Sequence, residues 1–500
     1  MPNSEKASRR DWLWTFTTYF AEGLPYSVLR TLSGVFFRDR GMSLEGIGMT
    51  SLYGLPWVVK FLWAPQVDAF SSRKRWMITC QALLAVFFFA AALAAGLERS
   101  PAAVAVLFFF ACFIAATNDI AIDGYYLEAL DSQGQARFLG YRVMAYRIAM
   151  MTGTGVIVTV GTLFHWWAAF LLAAAALAIL AVFHGYYLWQ GAADGKAPTL
   201  LLRNLKRPRN LLLLSLLLAY VGTIQLLVSS SAYEQLQRTN PFFEKLNFSA
   251  WIGISLFMVL GMVLAGRERL HASLVRRQDH YYAAAFLSFV DRERITAILA
   301  FIVLVRTGEF MLSSMVAPFF VDLGLKAHYG WISAGIGLPC SILGAMVGGW
   351  LIARFGLKRM ILPFLLAQNA TNLVYMILAL LLAPYLADGS TLAQPPAMGW
   401  EPLLFVCGVH GFDQLAGGLG TAVLMTYLMR LCRGGHKAAH YAIGTGLMSI
   451  SGVFAGILSG FLAQALGYGM FFGVSFLASL PGMAVLPVLP LLERQQDQQN

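Results

Sequence analysis

Charged residues are scarce in this sequence. They make up 12% of the 500 residues, whereas hydrophobic residues make up 58% and the mean hydropathy is +0.65. A soluble domain has about a quarter of its residues charged, because it needs a polar surface to cover its core. The composition therefore excludes a soluble globular protein and indicates that most of the chain faces lipid.

Cysteine is also rare, and the motifs of several enzyme classes are missing. The five cysteines have no CxxC spacing, so we interpret them as small packing residues rather than disulfides or metal ligands. The sequence contains no HExxH or GxSxG motif, and no Lys-Ser or Lys-Thr follows its glycine runs as in a nucleotide loop. We therefore expect no metal and no other cofactor. A membrane-embedded enzyme or receptor is the less favoured class of function.

Long apolar stretches fill the chain instead. A spanning helix needs about 20 mostly apolar residues, and about fourteen stretches meet this requirement. We predict span starts near Asp11, Leu44, Trp76, Pro101, Arg137, Trp166, Arg209, Ser249, Ile295, His328, Met360, Glu401, Lys437 and Met470. The sequence thus predicts an all-α polytopic membrane protein.

Two short basic turns repeat along the chain, at Asp68–Trp76 (DAFSSRKRW) and at Ala353–Met360 (ARFGLKRM). Each joins the second and third apolar spans of a block of six. We therefore predict two six-helix bundles, residues 1–195 and 293–500, and an insert at 196–292 with two extra spans. This duplication is typical of transporters in which one half rocks against the other, as in the major facilitator architecture.

The net charge of +11 is explained by the distribution of the 36 Lys and Arg. Most of them lie on one side of the membrane if the N-terminus is cytoplasmic, as the positive-inside rule requires. The basic residues thus indicate orientation rather than nucleic-acid binding. Both termini are predicted to be cytoplasmic, and the charged amphipathic segment 271–294 is predicted to lie on the cytoplasmic membrane surface.

Charged residues within the spans are the candidate functional residues, because an ionisable group in hydrocarbon is costly unless it is paired or faces water. Asp119 and Asp123 are four apart and share a helix face. Two carboxylates this close favour protonation of one of them, as proton transfer requires. Alternatively, one or both are ion-paired with Arg142 or Arg147 on the next span.

Two further candidates lie on the first and seventh spans. Arg306 and Glu309 are three apart and can pair on one helix face. A proton or an anionic substrate can open such a pair, or the pair only fixes helix packing. Glu22 lies beside Gly23 and Pro25, where we expect a break in the helix and a cavity.

Asp413 lies on the tenth span, the counterpart of the fourth. Nearby His410 is more typical of a hydrogen-bonded packing residue than of a proton relay. The complete set of candidates for proton coupling or substrate binding is Glu22, Asp119, Asp123, Arg147, Arg306, Glu309 and Asp413.

The two basic turns also suggest a gate. Charge pairs between helix ends at the cytoplasmic rim would hold the inner side shut while the site faces outward. The alternative is that these charges only set the topology. The candidate gate residues are Asp68, Arg73, Lys74, Arg75, Arg354, Lys358 and Arg359.

Several segments carry a resemblance to a known family. Phe20–Pro25 (FAEGLP), Lys60–Pro65 (KFLWAP) and Asn118–Asp123 (NDIAID) resemble the first half of AmpG-type muropeptide permeases. Gly417–Ala422 (GGLGTA), through Tyr441-Ala442, resembles their tenth and eleventh spans. These permeases belong to the peptide and acetyl-coenzyme A transporter family of the major facilitators. The resemblance implies a major facilitator fold and proton-driven import of anhydro-muropeptides, and members with two additional spans fit the insert.

We therefore interpret the chain as a proton-coupled symporter, and not as an enzyme. It is expected to import an anhydro-muropeptide-like solute across the bacterial inner membrane by alternating access. Acetyl-coenzyme A or another anionic metabolite is the alternative substrate. The expected partners are the solute, a proton and membrane lipids but no nucleic acid, and the protein is expected to act as a monomer.

Overall fold

The structure is a computed structural model. It describes residues 4–60, 63, 67, 71–96, 101–130, 132–189, 208–240, 243, 246, 248–266, 268–269, 272, 275–276, 287–386, 399–431 and 437–490. Helices dominate these residues, and they contain no β-strand. Long apolar runs form helices because a helix satisfies every backbone polar group within the segment, which hydrocarbon cannot do.

The helices of the first part of the chain come in long runs with irregular turns inside them. The bounds are α1 Ser4–Ser27, α2 Ser33–Asp39, α3 Leu44–Met49, α4 Leu55–Val59, α5 Arg73–Gly96, α6 Pro101–Ala129, α7 Ser132–Met151, α8 Val158–Leu163 and α9 Trp166–Tyr187. A π-helical turn at Val28–Leu32 joins α1 to α2, and another at Thr152–Ile157 joins α7 to α8. A 3₁₀ turn at Thr50–Gly54 joins α3 to α4.

The remaining helices follow the same pattern. A π-helical turn at Ile332–Gly337 joins α15 to α16, and Gly467, with φ 73°, kinks α19. The bounds are α10 Pro208–Val228, α11 Ser231–Thr239, α12 Phe248–Ala265, α13 Ile295–Leu304, α14 Thr307–Asp322, α15 Lys326–Trp331, α16 Leu338–Phe355, α17 Leu357–Leu381, α18 Trp400–Leu431 and α19 Lys437–Ala484.

Within the described residues, eight helical stretches are long and apolar enough to cross a membrane. They are Arg73–Gly96, Pro101–Tyr126, Tyr141–Leu163, Trp166–Tyr187, Ile295–Asp322, Lys326–Phe355, Leu357–Leu381 and Ile443–Val488. The predicted span starts lie close to the starts of helices or to the kink at Gly467, so the all-α polytopic class is confirmed. The count of about fourteen spans stays a prediction. The stretches that carry Glu22 and Asp413 are not among the eight.

The outer surface of the helices is apolar. Large side chains such as Val86, Ile179, Met346 and Leu404 are each more than half exposed. Contiguous apolar surface of this kind has no place in water and marks the face that contacts lipid. The long helices therefore cross a membrane with their apolar sides outward.

The first and second parts of the chain contact each other at one end of the helices, where α2 and α14 end. α3 packs on α19 so closely that a Cβ at Gly48 would lie 2.8 Å from the Cα of Gly460. On the other side, a Cβ at Gly155 would lie 2.8 Å from that of Ala334. Small residues permit such backbone approach within a membrane. We call this the closed end; both basic turns lie at the opposite end.

The described part of the insert packs on this assembly through α12. A Cβ at Gly253 would lie 3.5 Å from the side chains of Ile457 and Phe461 of α19, and the ring centroids of Phe257 and Phe454 are 4.8 Å apart. Met258 and Met262 on α12 are largely exposed. The domain bounds at 195 and 293 stay predictions. Most of the predicted surface segment 271–294 lies outside the described residues.

Both basic turns depend on a residue with positive φ. Ser71 has φ 63° in the first turn, and Gly356 has φ 84° and ψ 151° in the second. The conformation of Gly356 lies in a region that is essentially restricted to glycine. A Cβ at Gly356 would meet no other atom within 4 Å, so any cost of adding one is purely conformational.

We expect Gly356→Ala to destabilise the protein by about 1 to 3 kcal/mol, because alanine must adopt this strained conformation. Gly349→Ala is the matched control, since Gly349 is helical and also has no atom within 4 Å of an added Cβ. It should stabilise the protein by about 0.5 to 1 kcal/mol. Thermal unfolding in detergent, followed by circular dichroism, measures both; equal melting temperatures for the two variants would contradict the argument.

Candidate functional site

A cluster of charged side chains lies between α1, α4, α6 and α7. Asp119 on α6 forms an ion pair with Lys60, which follows α4. Asp123, one turn further along α6, lies 3.6 Å from Arg142 of α7 and accepts a 2.9 Å hydrogen bond from the Tyr19 hydroxyl. The two acids that the sequence places on one face therefore have different cationic partners.

Glu22 completes this cluster, and it forms no ion pair with any of the described residues. It lies within electrostatic range of Asp119, Asp123 and Lys60. Its buried Oε2 atom has no hydrogen-bond partner among the described residues. A carboxylate oxygen sealed from water without a donor is costly when ionised, and protonation removes that cost.

The expected helix break beside Glu22 is wrong in position. α1 continues through Gly23 and Pro25, and the irregular turn begins only at Val28. Pro25 has no N–H to donate to the carbonyl of Ala21, and the side chain of Asn118 donates to that oxygen instead at 3.2 Å. A residue from α6 thus repairs the defect that would otherwise open the helix.

Two basic residues near this cluster differ from the expectation. Lys60, the partner of Asp119, is absent from the predicted set, although a single lysine in an apolar span is a signal for it. The alternative partner Arg142 does pair with Asp123. Arg147 is half-buried and has no acidic partner among the described residues. Its role in substrate binding or coupling stays a prediction.

The second part of the chain carries a separate polar network. Arg306 donates to both carboxylate oxygens of Glu309, so the pair suggested by their spacing is formed. The Gln368 side chain of α17 also donates to Glu309. A Cβ at Gly420 would lie 1.7 Å from Gln368 Oε1, so this glycine leaves the space that Gln368 occupies.

Asp413 lies in the same region and is buried. It accepts hydrogen bonds from Thr371 at 2.7 Å and from Gln414 at 3.1 Å. His410 is buried, and its Nδ1 lies 2.9 Å from the Tyr375 hydroxyl. This is the packed, hydrogen-bonded environment expected for His410.

Sequence reasoning missed the polar run on α17. Gln368, Asn369, Thr371 and Asn372 are all buried, and neither side-chain polar atom of Asn372 has a partner among the described residues. Four polar residues within five positions of an otherwise apolar span are a signal that could have identified this run. It connects Glu309 to Asp413 through Gln368 and Thr371.

Three of the predicted gate residues have contacts within their own part of the chain. Arg73 lies 3.2 Å from Glu128, and Lys74 donates to the carbonyl of Leu188 at 2.7 Å. The guanidinium of Arg354 lies 5.5 Å from the Trp350 ring on the same helix. Arg75, Lys358 and Arg359 also lie at this end, and Asp68 lies outside the described residues. A gating role for these residues stays a prediction.

Ion pairs between the first and second parts are found at the closed end instead. Arg38 binds both oxygens of Asp322 at 2.5 Å, and Lys326 donates to Asp39 at 2.7 Å. Tyr468 and Trp166 each donate a further 2.7 Å hydrogen bond, to Asp322 and Asp39 respectively. We call Arg38, Asp39, Asp322 and Lys326 the closed-end latch. Its sequence signal is a pair of opposite charges where the first span ends and another where the seventh ends.

Comparison with known proteins shows which family has this architecture. The sequence profile of the Major Facilitator Superfamily matches residues 15–289. The chain belongs to this superfamily. The anhydromuropeptide permease of Escherichia coli K12 is 23% identical over 480 residues, covering 94% of this chain and 77% of that protein. The putative transporter AmpG 4 of Rickettsia conorii is 22% identical and covers 95% of both chains.

Solved structures show the same fold. A peptide transporter of the POT group in complex with sulfate matches over 95% of this chain and 94% of its own, with a TM-score of 0.63 and 14% identity. The nucleoside transporter NupG matches over 96% and 98%, with a TM-score of 0.58 and 13% identity. The protein is thus a multi-pass membrane transporter of the major facilitator type and not an enzyme.

We predict that Asp322→Asn opens the closed end of this transporter more often. Hydrogen bonds to charged groups contribute about 1.5 to 3 kcal/mol, so the open population should rise roughly 10- to 100-fold. Spin-label distances between α2 and α14 measure this population.

Glu234→Gln is the control for the latch, because Glu234 forms an exposed pair with Arg238 on α11 and should not change these distances. Reversal of both charges, Arg38→Asp with Asp322→Arg, should restore the closed distance. An unchanged distance distribution in Asp322→Asn would show that the latch does not hold this end shut.

Proposed function

We propose that the protein is a proton-coupled symporter that imports an anhydro-muropeptide-like solute across the bacterial inner membrane by alternating access. The observation that carries this proposal is the pair of intramembrane acidic networks, one in each half of a major facilitator fold. Similarity to the Escherichia coli permease over 94% of the chain supports the solute class. A superfamily transporter places its site between the halves near the bilayer midplane.

Proton coupling would depend on Glu22. Asp119 and Asp123 each have a basic partner, whereas the buried Oε2 of Glu22 has no hydrogen-bond partner among the described residues. A third negative charge beside two others in a low-dielectric environment is unfavourable, so a proton on this group stabilises the cluster. Loading and release of that proton would change the net charge of the cluster by one. This is the step that a proton gradient can drive.

Alternating access follows from the closed end. If the positive-inside rule sets the orientation, both basic turns face the cytoplasm and the closed-end latch faces the periplasm. The described contacts between the halves then correspond to a state that is closed toward the periplasm. Rocking of the halves would break the latch and expose the site on the other side. The predicted basic-turn gate would act in that second state.

One experiment separates the two candidate substrates. Proteoliposomes with an imposed pH gradient are offered labelled anhydro-muropeptide or labelled acetyl-coenzyme A. Gradient-dependent accumulation of the muropeptide supports the proposal. Accumulation of acetyl-coenzyme A alone would favour the alternative substrate, and accumulation of neither would contradict the proposed function.

We predict that Asp119→Asn, Asp123→Asn or Glu309→Gln abolishes accumulation under a pH gradient. Exchange of solute down its own gradient should partly survive, because each change disrupts an acidic network that coupling would require but keeps the binding site. The measurements are accumulation with a pH gradient and counterflow without one.

Glu401→Gln is the control for coupling, since Glu401 is exposed at the start of α18 and should behave like the wild type. Wild-type accumulation in all three test variants would show that these carboxylates are structural. The proton, if one is carried, would then bind elsewhere.

A further inference from the structure

Arg30 is a cation within the first span that has no acidic partner among the described residues. It lies in the π-helical turn Val28–Leu32, and its side chain is half-buried. Its Nη1 donates to the carbonyl oxygens of Thr50 at 3.4 Å and Ser51 at 3.0 Å. Carbonyl oxygens orient a guanidinium but do not neutralise it.

The charge on Arg30 cannot be removed by deprotonation. Arginine stays protonated in proteins, and an arginine within a membrane span is costly unless it is paired or faces water. The Nε and Nη2 donors of Arg30 form no hydrogen bond among the described residues, and neither is a fully buried atom. A planar guanidinium presents such donors in the fork that fits a carboxylate or a phosphate.

The surrounding backbone leaves room for this side chain. The 3₁₀ turn Thr50–Gly54 turns two carbonyl groups toward Arg30, and a Cβ at Gly54 would lie 3.2 Å from the Arg30 Cζ atom. Any larger residue at position 54 would press on the guanidinium. Single π-helical turns such as Val28–Leu32 occur frequently at functional sites. Two irregular turns in adjacent spans therefore meet at one guanidinium.

Arg30 also lies beside the seam between the two halves. Ser51, whose carbonyl it binds, is so close to α19 that a Cβ at Gly456 would lie 1.9 Å from the Ser51 Oγ atom. Along the first span, Arg30 is eight residues from Glu22, or about 12 Å at the helical rise. Arg30 is on the closed-end side and Glu22 is on the side of the acidic cluster.

We propose that Arg30 binds an anionic group, a carboxylate or a phosphate, of the transported solute. This inference rests on the proposed transport function and adds to it a recognition residue that separates anionic from neutral solutes. Bonding to Thr50 and Ser51 alone would make Arg30 a structural tie between two spans. A structural contact between two spans would affect the transport of all solutes equally. A binding residue would affect only the transport of solutes that carry the anionic group.

The test compares wild type with Arg30→Met, which keeps an apolar stem but removes every donor. Uptake of anhydro-muropeptide with free carboxylates is compared with uptake of its amide-capped form, and acetyl-coenzyme A provides the phosphate. We expect Arg30→Met to raise KM for the charged solute about 10- to 100-fold. KM for the capped form should not change, and Arg30→Lys should lie between. Equal losses for charged and capped solutes would overturn the proposal.

A second measurement does not depend on the identity of the solute. Acetate or sulfate, added at constant ionic strength, should raise the melting temperature of the wild type and of the control Arg238→Met more than that of Arg30→Met. Equal stabilisation of all three would overturn the proposal. Failure of the wild type to accumulate any solute would contradict the transport function instead, and this binding test would still decide the role of Arg30.

Discussion

The absence of hydrogen-bonding solvent in hydrocarbon is the constraint on which this structure depends. A backbone or charged group inside the membrane is costly unless it finds a partner within the protein or faces a water-filled cavity. The carbonyl of Ala21, left without a donor by Pro25, is bonded by Asn118. Asp119 is paired with Lys60, and Glu309 is held by Arg306 and Gln368. Polar groups thus occur where helices cross, and these crossings are where a transporter handles solutes and protons.

The same constraint explains how the two halves can part. Helices in lipid gain little from hydrophobic burial against each other, so close packing and polar contacts hold them together. At the closed end, the packing comes from glycine contacts such as Gly48 with Gly460. The polar contacts come from Arg38 with Asp322 and from Lys326 with Asp39. Both kinds of contact can break and re-form without exposing a large apolar core, which suits a rocking motion.

The features predicted correctly from the sequence are local ones. The apolar runs predicted the helices and their starts. The spacing of three residues predicted the pair of Arg306 and Glu309, because i, i+3 neighbours share a helix face. Partners far apart in the chain were missed, since Lys60 and Asp119 meet only through the tilt and register of two spans. The helix break predicted at Pro25 was wrong for the same reason. The Asn118 side chain that bonds the carbonyl of Ala21 lies 97 residues after Ala21 in the chain. Nor does sequence spacing reveal that α17 brings Gln368 against Glu309.

The first span holds two groups that the protein itself does not neutralise. Among the described residues, the buried oxygen of Glu22 has no donor and the guanidinium of Arg30 has no acidic partner. At a separation of about 12 Å they cannot pair with each other. In the proposed function, a proton would satisfy the first and an anion of the solute would satisfy the second. Each ligand alone would leave one uncompensated charge on this span, whereas both together would leave none. Binding of one would then favour binding of the other, by reciprocal linkage, and a single helix could couple the solute to the proton.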